Sequence, residues 1–295
     1  MGTVTGSLSA AHAGTITLGD LTVNRLGYGA MRITGKGIWG PPADREAALA
    51  TLRRAVELDV NFIDTADSYG PGISEELIAE ALYPYPKGLV IGTKVGWERH
   101  GPGVWQHNAS PRHIQEAVEG SLLRLRLERI DIYQLHVPDP ATSFDASMEA
   151  MARLKEQGKV RHVALSNVTV EHLERARKIV PIVSVQNRYS FSDREWDYLL
   201  DHCEANRIAF MPWSPMAQGR KANEVVEKIA AARGVSTAVV SLAWLLKRTP
   251  VMLPIPGTST VAHLEDNVSA AAFQLSDAEF AELGAVVPKP ITLRG

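Results

Sequence analysis

Four side chains able to hold or move a proton each sit at or just beyond the end of an apolar run. Asp64 and Tyr69 lie in NFIDTADSYG, Lys94 ends LVIGTKV but for one valine, and His136 closes IDIYQLH. The chemistry this set suits is proton donation to a carbonyl. A free tyrosine has a pKa near 10 and is a poor acid at neutral pH. A lysine ammonium within a few ångströms favours the phenolate and lowers that value. Asp64 would anchor Lys94, and His136 would share the proton or bind the carbonyl oxygen, placing two donors where negative charge develops. Singly, each residue has an ordinary reading: an aspartate after a strand caps or turns, a lysine there is weak evidence, and a lone histidine often just packs. Their joint placement at successive strand ends is what points to a site.

The elements that must position them alternate regularly. After an amino-terminal hairpin around TITLGDLTV, strands read NRLGYGA, VNFIDTA, LVIGTKV, IDIYQLH, RHVALSN, VSVQNRYS, IAFMPWS and VMLPIPG. Helix-period stretches such as DREAALATLRRAVELD and SPRHIQEAVEGSLLRLRL lie between them, several opening on Ser, Thr or Asp as N-caps. Eight such units with no linker predict one (β/α)8 TIM barrel over residues 15–295, preceded by a flexible leader over residues 1–14. In that fold catalytic groups gather at the carboxyl ends of the strands. The structural alternative is a doubly wound sheet. It is weakened because GYGAMR carries Arg32 where a phosphate loop needs its third glycine.

Composition excludes several classes. A net charge of -2 and a pI near 6.5 provide no basic field for nucleic acid or an anionic membrane. One cysteine, Cys203, excludes an internal disulfide and fits a reducing cytoplasm. No run approaches the roughly 18 apolar residues of a span. No H-x-H pair follows the first strand, which disfavours a metal-dependent barrel hydrolase.

With these residues in view, the chain resembles the aldo-keto reductases, over about residues 15 to 285. The resemblance implies a monomeric or loosely associated barrel enzyme passing a hydride from NADPH to an aldehyde or ketone. It makes Asp64, Tyr69, Lys94 and His136 the catalytic tetrad. It also implies a nicotinamide site of Ser166 and Asn167 from LSN with Gln186 from SVQNRYS, and a ring stacked on the nicotinamide from Trp213. Ser214, Pro215 and Met216 would follow the pyrophosphate, and Gly29, Ala30 and Met31 the nicotinamide ribose, with Asp64 near it. Gly257, Thr258 and Ser259 of IPGTSTVAHLEDN would bind phosphate at a helix amino terminus, and Asn267 would contact adenine. The sequence departs from the pattern at Gly257 and His263, where many relatives carry the cations that grip the 2′-phosphate. Arg220 and Lys221 are candidates to compensate, and use of NADH is compatible with the departure.

The substrate pocket is expected from Met31, Trp39, Tyr69, Trp97 and His136, with Trp105 as a further wall. GYGAMR…GPP, LSNVT and PIPGTSTVAHL most resemble the bacterial branch with pyridoxal reductases, which points to pyridoxal, another aromatic aldehyde or a bulky xenobiotic ketone. Two other classes stay open: a Schiff-base lyase using Lys94, and a non-catalytic nucleotide-binding regulatory subunit.

Overall fold

The computed structural model describes residues 8–216 and 219–287. The first seven residues of the expected leader and the last eight of the expected barrel domain lie outside this range. The hairpin β1 (Thr15–Leu18) and β2 (Leu21–Asn24) is followed by β3 (Tyr28–Gly29), α1 (Arg45–Glu57), β4 (Phe62–Asp64), α2 (Ile73–Leu82) and β5 (Val90–Val95). A second hairpin, β6 (Trp97–Gly101) and β7 (Val104–His107), precedes α3 (Pro111–Leu125), β8 (Ile130–Leu135), α4 (Phe144–Glu156), β9 (Val160–Ser166) and α5 (Val170–Arg177). Then come β10 (Ile182–Arg188), α6 (Asp197–Ala205), β11 (Ala209–Trp213), α7 (Arg220–Arg233), α8 (Thr237–Arg248), α9 (Val261–Ser269) and α10 (Asp277–Gly284).

Several helices begin where side chains meet otherwise orphaned N–H groups. Asp44 caps α1, Ser110 caps α3 ahead of Pro111, and Thr169 and Ser276 form capping boxes on α5 and α10. Seven strands form one parallel sheet in the order β11-β10-β9-β8-β5-β4-β3. VMLPIPG, expected as an eighth strand, does not form one; it makes a single parallel bridge, Met252 to Phe210. It still closes the barrel. Its backbone exchanges bonds with Phe210 on one side, and Pro254 and Pro256 accept from the N–H groups of Gly27 and Gly29 on the other. Two prolines have no N–H to donate, so a regular ladder is unavailable there.

Residues facing the lumen recur every second position. Leu18 and Val23 of the first hairpin join Phe62, Val90, Ile132, Ala164, Ala209 and Leu253 in one apolar cluster. The hairpin thereby plugs the amino-terminal end of the barrel, where Arg161 and His162 bind Asp20. Two residues further along the strands the same face turns polar: Phe62 gives way to Asp64, Gly92 to Lys94, Ile132 to Gln134, and Ala164 to Ser166. Residues 8–14, expected to be flexible, are folded. Ser9 caps a short 3-10 helix over Ala10–Ala13 and donates to Asp59, while Ala10 is fully buried against the core. Burial pushes the Cys203 thiol up to about 12, which leaves it inert as a nucleophile. Among the described residues no single helix is long and apolar enough to cross a membrane.

Phe62 fills the space that Gly27 and Gly92 leave open; a Cβ on either would lie 3.0 Å or 3.2 Å from its ring. Phe62→Ala should empty the lumen and cost about 3–5 kcal/mol of unfolding free energy, read from the urea midpoint at unchanged slope.

Candidate active site

The polar ends of the strands meet at one mouth of the barrel. Lys94 is fully buried, and its Nζ donates to Asp64 Oδ2 at 2.6 Å and to the Thr65 carbonyl at 2.8 Å. The other carboxylate oxygen accepts from the amides of Gln134 at 2.8 Å and Gln186 at 3.0 Å. Every heavy atom of the charged pair that needs a partner therefore has one, the condition under which such a pair is tolerated in a core. Burial alone would push the Lys94 ammonium down, but Asp64 and Tyr69 outweigh it and the net direction is up.

Tyr69 follows in the loop after β4, its ring centroid 5.2 Å from Lys94 Nζ and 5.8 Å from the edge-on His136 ring. Lys94 was expected to lower the phenol's pKa. It does pull in that direction, but burial dominates and the net direction is up. The phenol thus keeps its proton in the resting site. His136 is pushed well below the ordinary histidine range, by burial first and by Lys94 second, and stands neutral. Its Nδ1 is buried and has no hydrogen-bond partner among the described residues.

The loop carrying Tyr69 is tied down by a residue the sequence reading passed over. Arg99, from β6, donates through Nη1 to the carbonyls of Ser68 and Ile38, both at 2.9 Å, and through Nη2 to that of Gly37 at 3.0 Å. Its guanidinium stacks 3.7 Å from the Trp105 ring centroid and 5.7 Å from that of Trp39. Two loops, the one after β3 and the one after β4, are thus held by one cation. Trp97 instead faces the tetrad, 6.3 Å from the His136 ring centroid, with His107 stacked on its other side at 4.3 Å. Of the expected pocket walls, Trp97 touches the tetrad directly, Trp39 bridges to Gly70 beside Tyr69, and Trp105 serves Arg99. Met31 lies in a short 3-10 helix immediately after β3, half-buried.

Asn167, left-handed at φ 56°, donates to the His136 carbonyl at 3.0 Å and to Ser166 Oγ at 3.1 Å. It accepts from Trp213 Nε1 at 3.1 Å, and Trp213 is partly exposed at the mouth. Ser166, Asn167 and Trp213 are therefore brought together beside His136, and Gln186 joins them by pairing with Ser166 across the sheet and accepting from the Asn167 N–H at 3.0 Å. Ser214 and Pro215 continue from Trp213, and Met216 reaches a second region. This is a cavity of about 400 Å³ whose lining includes Gly257, Thr258, His263 and Asn267. The Tyr28 phenol holds the Thr258 carbonyl at 2.5 Å, and Thr260 caps α9 by accepting from the His263 N–H at 3.4 Å. Thr237, Ser241 and Asn223 complete a polar wall. Hydroxyls, amides and a helix amino terminus in one cavity suit the adenosine and phosphate end of a nicotinamide dinucleotide. Ser259 precedes the cap and is exposed, and Gly29 and Ala30 are buried against the same segment. Arg220 and Lys221 begin α7 and are exposed; the cavity is lined by Asn223, Val226 and Glu227 of the same helix and not by these two, and Arg220 lies 3.7 Å from Glu224.

Gln134 was also passed over, although its spacing of two residues from Ile132 and from His136 in IDIYQLH puts it on the same face as both and marks it as lumen-facing. Asp67 is a third. Burial and the nearby Glu75 carboxylate push it well above the ordinary carboxylate range. Glu75 is itself fully buried, bound by Thr93 Oγ1 at 2.5 Å and Arg124 Nε at 2.6 Å, and clamps α2 behind the tyrosine loop.

Residues 25–288 match the family model described as Aldo/keto reductase family. The chain is 48% identical over 279 residues to an uncharacterized oxidoreductase of Schizosaccharomyces pombe, covering 94% of this chain and 91% of that one. It is 43% identical over 270 residues to pyridoxine 4-dehydrogenase of Escherichia coli, covering 89% and 94%. The aldo/keto reductase from Klebsiella pneumoniae, solved with NADP and acetate, superposes with a TM-score of 0.78 at 27% identity over 94% of this chain and 96% of that one.

Because His136 stays neutral in the fold, the unfolded chain takes up a proton there below about pH 6.5 that the native state refuses. The unfolded state then binds more protons, so stability drops as the pH is lowered, by at most about 1.4 kcal/mol per unit for one group. His136→Gln should remove that part of the slope between pH 6.5 and 5, seen as a flatter curve of unfolding free energy against pH than in the parent.

Proposed function

The chain belongs to the aldo/keto reductase family, and we propose that it reduces an aldehyde or ketone to the alcohol with Tyr69 as the proton donor. The observation that carries this reading is the Tyr69 phenol and the neutral His136 set edge-on beside the buried Lys94–Asp64 pair. NADPH is the reductant, as the NADP-bound relative suggests, and supplies the hydride when bound. Trp213, Ser166 and Asn167 would orient the nicotinamide, and Gly257, Thr258 and Asn267 would hold the adenosine end.

A carbonyl oxygen seated between Tyr69 and His136 gains negative charge as its carbon is reduced. The phenol hydrogen bonds to it and then transfers its proton, completing the alcohol. The phenolate left behind faces the Lys94 ammonium, which lowers the cost of forming it. Water reaching the mouth would restore the proton. Asp64 keeps Lys94 charged, and neutral His136 contributes a hydrogen bond without adding charge.

The same pair argues against Schiff-base chemistry, because a nucleophilic lysine needs its pKa lowered and that of Lys94 is raised. A small aromatic aldehyde is the substrate class the Trp97 and Trp39 surfaces favour, and the pyridoxine 4-dehydrogenase relative makes pyridoxal the first to try.

Tyr69→Phe should bind NADPH with the parent's Kd yet lose about 10²- to 10⁴-fold in kcat. This is checked by initial rates of NADPH and NADH oxidation with pyridoxal, nitrobenzaldehyde and a bulky cyclic ketone. Parent-like turnover in that variant would remove Tyr69 from the role. Tight nucleotide binding by the parent with no turnover on the panel would favour a regulatory nucleotide-binding subunit.

A further inference from the structure

The cavity at the start of α9 has an unbalanced charge for a phosphorylated ligand. Its lining includes His263 and Glu227, and among the described residues no lysine or arginine. A phosphate there would meet a helix amino terminus and a histidine on one side and an acid on the other.

One cation stands beside it. Arg32 lies in the 3-10 helix after β3, and its Cγ is 3.4 Å from where a Cβ on Gly257 would sit. The stem of Arg32 thus crosses the one lining residue that has no side chain. The backbones meet there too, since that same Cβ would be 2.8 Å from the Gly29 carbonyl, so Gly257 is needed for the two loops to close. Arg32 is exposed, and among the described residues its side chain makes no hydrogen bond or ion pair, as is also true of Arg53, Arg129 and Arg207, but of these four only Arg32 passes beside the cavity lining. An unpaired guanidinium whose stem passes beside Gly257 of a phosphate-suited cavity can turn to an oxyanion there without giving up a partner.

We propose that Arg32 grips a phosphate of the nicotinamide dinucleotide across Gly257, and so supplies from the first βα loop the positive charge that the α9 segment lacks. This rests on the reductase reading only in taking that dinucleotide as the ligand. It displaces Arg220 and Lys221, which stand outside the lining, from that task.

The test is equilibrium binding of NADPH, NADH and 2′,5′-ADP, by tryptophan fluorescence or calorimetry, to the parent, Arg32→Ala and Arg32→Lys. Arg32→Ala should raise the Kd for NADPH about 10- to 100-fold, with partial recovery in Arg32→Lys and a weaker dependence of Kd on salt than in the parent. Loss for NADPH and 2′,5′-ADP with NADH unchanged assigns the 2′-phosphate; equal loss for NADPH and NADH assigns the pyrophosphate. Either supports the proposal. Parent-like binding of all three ligands by Arg32→Ala overturns it, as does a loss found only in Arg220→Ala or Lys221→Ala. Carbonyl turnover by the parent, measured alongside, keeps the two readings separate. Turnover with Arg32→Ala binding normally removes Arg32 alone, whereas binding without turnover removes the reductase and leaves the Arg32 comparison readable.

Discussion

The structure depends on a buried charge pair. Lys94 and Asp64 sit in the barrel lumen at 2.6 Å, away from bulk water, and neither is tolerable there without the other. Gln134 and Gln186 exist in the lumen to complete the carboxylate's hydrogen bonds, which is why two amides interrupt strands that are otherwise apolar on that face. The consequence runs outward. Once Lys94 is fixed, Tyr69 and His136 each feel a nearby positive charge in a low-dielectric setting, and that setting keeps one protonated and the other neutral.

Much of this was legible in the residues. Strand ends bearing Asp64, Lys94 and His136 at successive repeats could be read as one rim, because a barrel puts every carboxyl end on the same face. The direction of the Tyr69 shift could not, because desolvation depends on how deeply Trp97, His136 and the neighbouring loops enclose the ring, and no spacing reports that. Nor did the sequence announce Arg99. An arginine satisfied by backbone carbonyls leaves no acidic partner to look for, and the hairpin that delivers it reads as a plain loop with glycines and a proline. The leader was misjudged for a related reason. Small residues such as Ala10 look uncommitted, yet they fit where larger ones would not, and Ala10 donates to the Leu58 carbonyl at 2.8 Å.

The two hairpins divide the labour of closing a tube. The first fills the amino-terminal end with Leu18 and Val23, and a Cβ on Gly19 would lie 2.1 Å from the His162 ring, so the turn lies flat against the strand ends. The second, β6–β7, stands over the opposite mouth and carries Trp97 toward the tetrad. One end is therefore sealed by packing and the other is shaped by rings and a guanidinium.

The segment with Pro254 and Pro256 closes the sheet through few backbone bonds, and the cavity at Gly257 and Thr258 begins immediately beyond it. A sheet opens most easily where its ladder is thinnest. A ligand that bridges this segment to the loop after β3 would fasten the barrel as a clasp fastens a collar, and by mass action its binding energy would appear as resistance of the whole chain to unfolding. Cofactor occupancy and the free energy of unfolding are then linked, so that free nucleotide concentration would set part of the chain's apparent stability.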